Sequence, residues 1–252
     1  MIPEKPLTLS LIIIAYNEEA VIGICLDAIA KQSVMPLEVI VVDNNSKDKT
    51  AEIAASYPFV RVVRETTQGM IAARNRGFAE AKGDIFARID ADTVLGKTWV
   101  ERALKDFSEH AIDGLTGPGA VYEISSEEAY AWQMFSKYYF LLQKNLFGFQ
   151  VMWGSNMAIT RNIWHKISGD TCHNEKLVHE DLDLSVLIHK VGGTIYYDRY
   201  LKVHIHGVRF LDPRKVAQYH KKAVATRNYH TKRGNLDPMR AAVRERIIGR
   251  SF

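Results

Sequence analysis

Two aspartates at the end of an apolar run have the clearest chemical potential in this sequence. Asp90 and Asp92 follow the hydrophobic segment Ile85–Ile89 and are separated by one small residue. Residues two apart in an extended chain point the same way, so these carboxylates would repel each other unless a cation or hydrogen-bond donors compensate. Oxygen ligands of this kind suit Mg²⁺ or Mn²⁺, which also bind the oxygens of a diphosphate. The alternative is an Asp-rich turn whose side chains bond their own backbone.

Further polar clusters follow two other predicted strands. Leu9–Ala15 ends at Tyr16, and Leu37–Val42 ends at Asp43. The spacing of apolar residues also predicts helices over 20–31, 50–57 and 70–82 and a strand over 60–63. This alternation predicts a mostly parallel, Rossmann-like α/β sheet flanked by helices, in which ligands bind beyond the carboxyl ends of the strands. The clusters therefore converge on one crevice, although each alone could be a helix N-cap.

No glycine loop of either familiar phosphate-binding type is present, so a metal would have to hold any phosphate. The chain also has no run of eighteen apolar residues and no signal-peptide pattern. Cys25 and Cys172 are too few for a disulfide framework or a zinc site. We therefore expect a cytoplasmic protein.

The charge is unevenly distributed along the chain. Residues 199–252 contain 14 Lys and Arg against 3 Asp and Glu, although the whole chain carries a net charge of only +4. A basic C-terminal quarter indicates a polyanionic neighbour or a solvated basic helix. Helices are predicted over 215–233 and 238–248, and they suit a membrane surface, self-association or a neck before membrane segments.

Several motifs resemble glycosyltransferase family 2, a family of inverting enzymes with the glycosyltransferase A fold. The matching segments are Ile14-Ala15-Tyr16-Asn17-Glu18, Val41-Val42-Asp43-Asn44-Asn45-Ser46-Lys47-Asp48-Lys49-Thr50, Gly69 with Ala73-Arg74-Asn75-Arg76-Gly77, Ala81-Lys82-Gly83-Asp84, and Asp90-Ala91-Asp92. The resemblance is specific over the first hundred residues and continues more weakly to about residue 207. It implies a catalytic domain over 1–210, with a nucleotide-sugar half (1–110), an acceptor half (111–210) and a basic helical extension (211–252).

The resemblance also implies roles on the donor side. Tyr16 and Glu18 would hold the base and ribose of a nucleotide sugar, and Asp43 or Asn44 would contact the base edge. Ala15 and Gly69 would belong to the same site, and Arg74 would lie near the diphosphate. Asp90 would lie near ribose and metal, and Asp92 on the metal itself. The commonest second-strand form has two successive acids, so Asn44 is a departure that leaves the base less certain.

The acceptor side is expected in the second half. Residues 112–121 should return to the sheet, and an aromatic helix is predicted over 127–145, either as core packing or as a surface facing lipid. Met152–Ile159 resembles the family segment beside donor and acceptor. It would place Trp153, Gly154, Ser155 and Asn156 near the sugar, although Trp153 could equally be a core residue.

A cluster of acids marks the start of a predicted helix at His179-Glu180-Asp181-Leu182-Asp183. Acids are favoured at a helix N-terminus, so the cluster could be structural. A carboxylate could instead take the proton of an acceptor hydroxyl. The resemblance points to Asp181 as this general base and Glu180 as an acceptor contact. On the predicted strand Tyr200–His206, it favours His204 over His206 as a metal ligand.

The sequence therefore predicts a metal-dependent, inverting glycosyltransferase. It would use a nucleoside diphosphate sugar, most simply a UDP-sugar, and Mg²⁺ or Mn²⁺. The acceptor would be a glycan or a lipid-linked compound, with peripheral contact to an anionic membrane through residues 211–252 and no nucleic-acid partner. The alternatives are a polyprenyl-phosphate sugar transferase, a nucleotidyltransferase and a non-catalytic polyanion-binding module. The acidic segment after the first strand argues against a nucleotidyltransferase, and the intact carboxylates argue against a non-catalytic module.

Overall fold

The computed structural model describes residues 5–122, 138, 140–206 and 213–236. The strands are β1 (Leu9–Ala15), β2 (Glu38–Asp43), β3 (Val60–Arg64), β4 (Ile85–Asp90), β5 (Thr93–Leu95), β6 (Gly114–Thr116), β7 (Gly119–Tyr122), β8 (Met157–Thr160), β9 (Ile195–Tyr197) and β10 (Val203–His206). The helices are α1 (Ile22–Ala30), α2 (Thr50–Ala55), α3 (Met70–Glu80), α4 (Trp99–Glu109), α5 (140–147), α6 (Arg161–Ile167), α7 (Glu180–Lys190) and α8 (Pro213–Lys232). A 3₁₀ turn at Ser168–Asp170 follows α6.

A seven-stranded sheet in the order β3-β2-β1-β4-β8-β6-β9 forms the centre of the molecule. The first four strands in this order are parallel, and β8 runs antiparallel to both β4 and β6. The register pairs Ala15 with Asp43 and Ile14 with Asp90. The carboxyl ends of β1, β2 and β4 are therefore level, as the sequence predicts.

The pleat of β1 explains why six of its seven residues are apolar, Ser10 being the exception. Leu11 and Ile13 belong to a core with α1, α2 and α4, whereas Ile12 and Ile14 belong to a second core with α3, α6 and α7. Alternate residues thus bury on opposite faces of the sheet. A Cβ added to Gly77 of α3 would lie 2.4 Å from Ile12 Cγ2, so glycine permits α3 to pack directly on β1.

A second sheet, in the order β5-β10-β7, extends the fold beyond β4. Strand β10 is antiparallel to β5 and parallel to β7. The sequence predicts a single return to the sheet over 112–121, but this segment is divided between the two sheets as β6 and β7. Gly117 marks the division, because a Cβ there would lie 2.1 Å from the Leu201 carbonyl oxygen.

Helix α8 packs against α7. Ala223 of α8 joins Leu182 and Val186 of α7 in a small core that also contains Phe147 at the end of α5. His230 and Asp183 are fully buried between α7 and α8, and their side chains are 2.9 Å apart. The domain boundary expected near residue 210 stays a prediction.

The predicted mostly parallel sheet flanked by helices is confirmed, but several elements differ. The sequence does not predict β5, α4, β8, α6 or β9, and the strand expected over 200–206 begins only at Val203. Most of the aromatic helix predicted over 127–145 lies outside the described residues, as does the whole helix predicted over 238–248. Residues 140–145 are helical.

Candidate active site

The loops that follow β1 and β2 fix each other by reciprocal hydrogen bonds. The Asn17 amide donates to Ser46 Oγ at 3.1 Å, and Asn17 Oδ1 accepts from the Lys47 amide at 2.8 Å. The Glu18 amide donates to Thr50 Oγ1 at 2.8 Å. Asn17 has a φ of 54°, a conformation that asparagine tolerates better than most residues. The loop that carries Tyr16 and Glu18 is therefore held against the loop that follows Asp43.

Asn44 anchors the loop before α3. Its Nδ2 donates to the carbonyl oxygens of Glu65 and Thr67, at 3.1 and 2.7 Å. Its Oδ1 accepts from the Gly69 amide at 2.7 Å. Since an aspartate has no N–H to donate, these bonds give a physical reason for asparagine rather than aspartate at this position.

Gly69 lies where the loop enters α3. Its φ of 138° belongs to the region that favours glycine, and an added Cβ would lie 2.8 Å from Glu175 Oε1. Glu175 comes from the segment before α7, and its carboxylate accepts from the Ile71 amide at 2.7 Å. Gly69 therefore allows the segment before α7 to close on the start of α3.

Asp90 ends β4 and is held by two partners. Arg88 Nη2 lies 2.7 Å from Asp90 Oδ1, and Ser155 Oγ donates to Asp90 Oδ2. Ala91 and Asp92 form a turn, so of the two backbone conformations that the sequence left open, the turn is present and the extended spacing is not. Both aspartates nevertheless act on the thiol of Cys25. Burial raises the pKa of Cys25, and the charges of Asp92 and Asp90 raise it further.

The turn 153–156 connects the two halves of the site. Ser155 donates to Asp90, and the neighbouring Gly154 amide donates to Asp181 Oδ2 at 2.9 Å. Gly154 is required because a Cβ there would lie 2.1 Å from Arg88 Nη1. Two consecutive residues thus join the end of β4 to the start of α7.

The side chains on either side of Gly154 and Ser155 contact the interior of the protein. Trp153 is partly buried against the main core. Asn156 is fully buried, with Oδ1 accepting from Trp99 Nε1 at 3.0 Å and Nδ2 donating to the Leu201 carbonyl oxygen at 2.7 Å. Acceptor contacts by Trp153 and Asn156 stay predictions.

A buried charge network lies behind the turn. Glu180 Oε2 pairs with Arg74 Nη1 at 3.1 Å, and Glu180 Oε1 pairs with Arg88 Nη1 at 3.2 Å. Arg88 also pairs with Asp90, so the four side chains form a continuous chain of alternating charge. Burial opposes the charge of Arg88, but Asp90 and Glu180 outweigh it and raise its pKa. The expected roles of Arg74 at a diphosphate and of Glu180 at an acceptor stay predictions.

Asp181 is buried and ionised. Its Oδ1 lies 2.5 Å from His179 Nδ1 and accepts from the Leu182 amide at 2.7 Å, whereas Oδ2 accepts from Gly154. Burial opposes ionisation, but His179, the Gly154 amide and Arg88 outweigh it and hold the pKa of Asp181 below its usual range. Burial likewise lowers the pKa of His179, and Asp181 more than offsets this, so the pKa of His179 is raised.

His204 lies on β10, where it pairs in register with Val94 of β5. Partial burial and the charge of Lys202 lower its pKa, so the imidazole is neutral at neutral pH. No group of three or more His, Cys, Asp or Glu side chains suited to a metal occurs among the described residues.

The structure thus places most of the predicted site residues in two groups. The first group lies in or beside the loops after β1, β2 and β3, and its members are Ala15, Tyr16, Glu18, Asp43, Asn44 and Gly69. The second group is connected through Arg88, which bridges Asp90 and Glu180, and its members are Arg74, Asp90, Gly154, Ser155, Glu180 and Asp181.

Sequence reasoning missed Arg88 and His179 as site residues. An arginine inside an otherwise apolar buried strand was the available signal for Arg88. For His179, the signal was a histidine two residues before the candidate base. Together, the contacts supply a desolvated carboxylate held in a fixed orientation near an aspartate at the sheet edge, an arrangement that suits proton removal from a bound hydroxyl.

Comparison with known proteins gives one family. The model of the family described as glycosyl transferase family 2 matches residues 10–167, which is more than half of the chain. Glycosyltransferase AglE of Haloferax volcanii is 36% identical over 115 residues, covering 43% of this chain and 38% of AglE. Probable glycosyltransferase YdaM of Bacillus subtilis is 28% identical over 206 residues, covering 75% of this chain and 48% of YdaM. The chain therefore spans less than half the length of either relative.

Two solved structures have a similar fold. Mannosyltransferase PcManGT from Pyrobaculum calidifontis, in complex with GDP-Man and Mn²⁺, superposes with a TM-score of 0.68 at 21% identity, covering 88% of this chain and 64% of that one. S. aureus TarS 1-349 in complex with UDP-GlcNAc gives a TM-score of 0.58 at 19% identity, covering 79% and 58%. The predicted glycosyltransferase A fold is confirmed. No described helix is both long and apolar enough to span a bilayer.

Proposed function

Because the chain belongs to glycosyltransferase family 2, we propose that it transfers a sugar from a nucleoside diphosphate sugar to a hydroxyl acceptor in glycan, polysaccharide or glycolipid synthesis. The observation that carries the proposal is the turn 153–156, whose adjacent residues bind Asp90 on one side and Asp181 on the other. The turn thereby holds Asp90, on the side of the nucleotide-sugar donor, and Asp181, the candidate base, in one rigid unit. Structures with GDP-Man and UDP-GlcNAc share the fold, and a UDP-sugar is our first candidate donor.

The base and ribose would bind where β1 and β2 end. Tyr16 is 45% exposed there, as a stacking surface must be. Asn44 uses both polar atoms of its side chain to hold the loop before α3. We therefore assign the base edge to Asp43, whose Oδ1 accepts a hydrogen bond from the Ser46 amide at 3.1 Å and has a second lone pair.

Asp90 and Asp92 suit a divalent cation, Mg²⁺ or Mn²⁺. The donor set consists of carboxylate oxygens, and each oxygen of Asp90 has a lone pair beyond its present bond. When bound, the cation supplies positive charge that stabilises a leaving diphosphate. An imidazole would complete the set. The family resemblance favours His204 over His206 for this role, and Mn²⁺ binding by His204→Ala and His206→Ala tests that choice.

Asp181 would act as the general base through Oδ2. Its Oδ1 already has two partners, whereas Oδ2 has one. As the acceptor oxygen bonds to the anomeric carbon, its proton moves to Asp181 Oδ2. The bond between that carbon and the diphosphate oxygen breaks, and its electron pair leaves with the diphosphate. A single displacement of this kind inverts the configuration of the sugar.

Contact with an anionic membrane on its cytoplasmic face is part of the proposal. Lys221, Lys232 and Arg233 are exposed on and just after α8, and Leu141 on α5 is 54% exposed. Basic and apolar side chains together favour anionic lipid surfaces. Sedimentation with phosphatidylserine vesicles, and not with phosphatidylcholine vesicles, is the expected result.

The function is tested by screening nucleotide sugars with Mn²⁺ for thermal stabilisation and then measuring transfer. We expect one donor to raise the melting temperature and to be turned over. Asp181→Asn should keep donor binding and lose turnover by 10²-fold or more. Asp106→Asn, which changes a buried acid on α4, is the matched control. Normal turnover by Asp181→Asn would exclude the base assignment and favour an acceptor that is already an anion, such as a polyprenyl phosphate. Absence of donor binding would exclude the function.

A further inference from the structure

The first turn of α7 contains three buried acids with different kinds of partner. Glu180 pairs with two arginines, which are permanently charged. Asp181 and Asp183 pair instead with imidazoles, those of His179 and His230. The candidate base is therefore the partner of a group whose charge can change near neutral pH.

His179 is held in place by α8. Its backbone amide donates to Thr226 Oγ1 at 2.7 Å, and this hydroxyl in turn donates to the Lys222 carbonyl oxygen at 2.8 Å. The ring of Tyr219 lies 5.6 Å from the ring of His179. Helix α8 therefore contacts His179 through both its backbone and its ring.

The pair of His230 and Asp183 fastens the same two helices one turn further on. Both side chains are fully buried, with no surface accessible to solvent. Asp183 Oδ2 also accepts from the Cys172 amide at 3.1 Å. The position of α8 relative to α7 is thereby fixed next to His179.

We propose that His179, held by Thr226 of α8, is a positioning residue that orients Asp181 and keeps it ionised in the resting site. The role of Asp181 as base rests on the proposed function, whereas the pairing itself does not. Helix α8, which the sequence marks as a basic extension, is on this view part of the catalytic apparatus.

The charges around His179 come from two elements. Asp181 and Glu180 of α7 favour the imidazolium, whereas Lys222 of α8 opposes it. Tyr219 is the other titratable group that faces the ring. While His179 is charged, Asp181 is a weak base, and loss of the imidazolium proton makes it a stronger one. Turnover should therefore rise with pH across the titration of His179.

The pairing is tested by nuclear magnetic resonance on protein labelled at histidine Cε1. The chain has nine histidines, and His179→Gln identifies the signal. We expect a titration midpoint above the ordinary value for histidine, about 6.5, in the wild type and a lower midpoint in Asp181→Asn, which lacks the carboxylate charge that favours the imidazolium. A midpoint at or below about 6.5 in the wild type, or one that Asp181→Asn leaves unchanged, would overturn the proposal.

Kinetics test the positioning role. Thr226→Ala should lower kcat about fivefold with little change in donor KM, because one hydrogen bond to the base's partner is lost, and Thr226→Ser should restore it. Thr231→Ala is the matched control, because Thr231 Oγ1 makes the same kind of bond to a preceding carbonyl of α8, that of Arg227 at 2.9 Å, whereas Thr226 Oγ1 also accepts from the His179 amide. Equal losses in Thr226→Ala and Thr231→Ala would overturn the role of Thr226.

The pH profile separates this inference from the proposed function. His179→Gln should abolish the rise of kcat with pH, whereas a merely structural role would lower kcat equally at every pH. If His179 titrates as expected and no nucleotide sugar is turned over, the proposed function fails and the pairing stands. If turnover is found and His179→Gln keeps the wild-type pH profile, the positioning role fails and the proposed function stands.

Discussion

Replacement of Arg88 by methionine tests the charge network on which the site is built. Arg88 is almost fully buried, and its guanidinium divides between Asp90 at 2.7 Å and Glu180 at 3.2 Å. Methionine fills a similar apolar volume but leaves two carboxylates near each other without their shared cation. Breaking a buried ion pair by removing one partner costs about 3–5 kcal/mol. For a chain of this size, that corresponds to a melting temperature lower by roughly 10 °C.

The assay is thermal unfolding followed by circular dichroism, with three companion variants. Arg88→Met combined with Asp90→Asn should recover at least half of the loss, because Arg74 and Glu180 then remain a neutral pair. Arg88→Lys keeps the charge but cannot bind both acids in the same fork, so it should be intermediate. Arg61→Met is the matched surface control.

Arg61 makes the same kind of fork, with Glu38 at 3.0 Å and Glu80 at 2.8 Å, but it is 39% exposed. Its loss should cost no more than about 1 kcal/mol. Equal melting temperatures for Arg88→Met and Arg61→Met would refute the reasoning that burial makes the network at Asp90 important. So would a double variant that melts below Arg88→Met.

Two further substitutions test buried polar groups elsewhere. Burial, and then Asp198, raises the pKa of Asp106 to about 6. The folded state therefore binds more protons than the unfolded state between about pH 4 and 6, and stability falls by up to about 3 kcal/mol as pH rises through that window. Asp106→Asn should remove this fall and melt higher than the wild type at pH 7, and a difference independent of pH would contradict the assignment. Asn44→Asp should cost about 2–4 kcal/mol, because its bonds to the carbonyls of Glu65 and Thr67 lose their donor. Urea unfolding measures this, and unchanged stability would show that the loop does not depend on the amide.

The first half of the fold is predictable because its signals are local. Strands β1, β2 and β4 are mostly apolar segments followed by polar residues, and such segments bury on both faces of a parallel sheet. The start of β2 and the ends of α1 differ from prediction by only one or two residues. Helix α4 was missed although Trp99, Ala103 and Phe107 bury one face at helical spacing.

The second half of the fold is less predictable because the positions of its short strands depend on pairing with strands that are distant in the sequence. Strands β6, β7 and β9 have three or four residues each, too few for a periodic pattern. The sequence left the turn at Asp92 as one of two alternatives because Asp-x-Asp fits both an extended chain and a turn. The residues with reactive side chains were easier to predict than their partners. Asp181 could be named from its type and motif, but its bond to His179 depends on how α8 packs.

The place of β8 in the sheet means that the sheet cannot be completed until late in synthesis at the ribosome. Its four residues occupy the gap between β4 and β6, yet they emerge long after Asp90. At roughly 5–20 residues per second, β4 would wait several seconds with one edge unpaired. A nascent chain released before Met157 would present an apolar, unpaired strand to its neighbours, which is the kind of surface that aggregates or recruits chaperones.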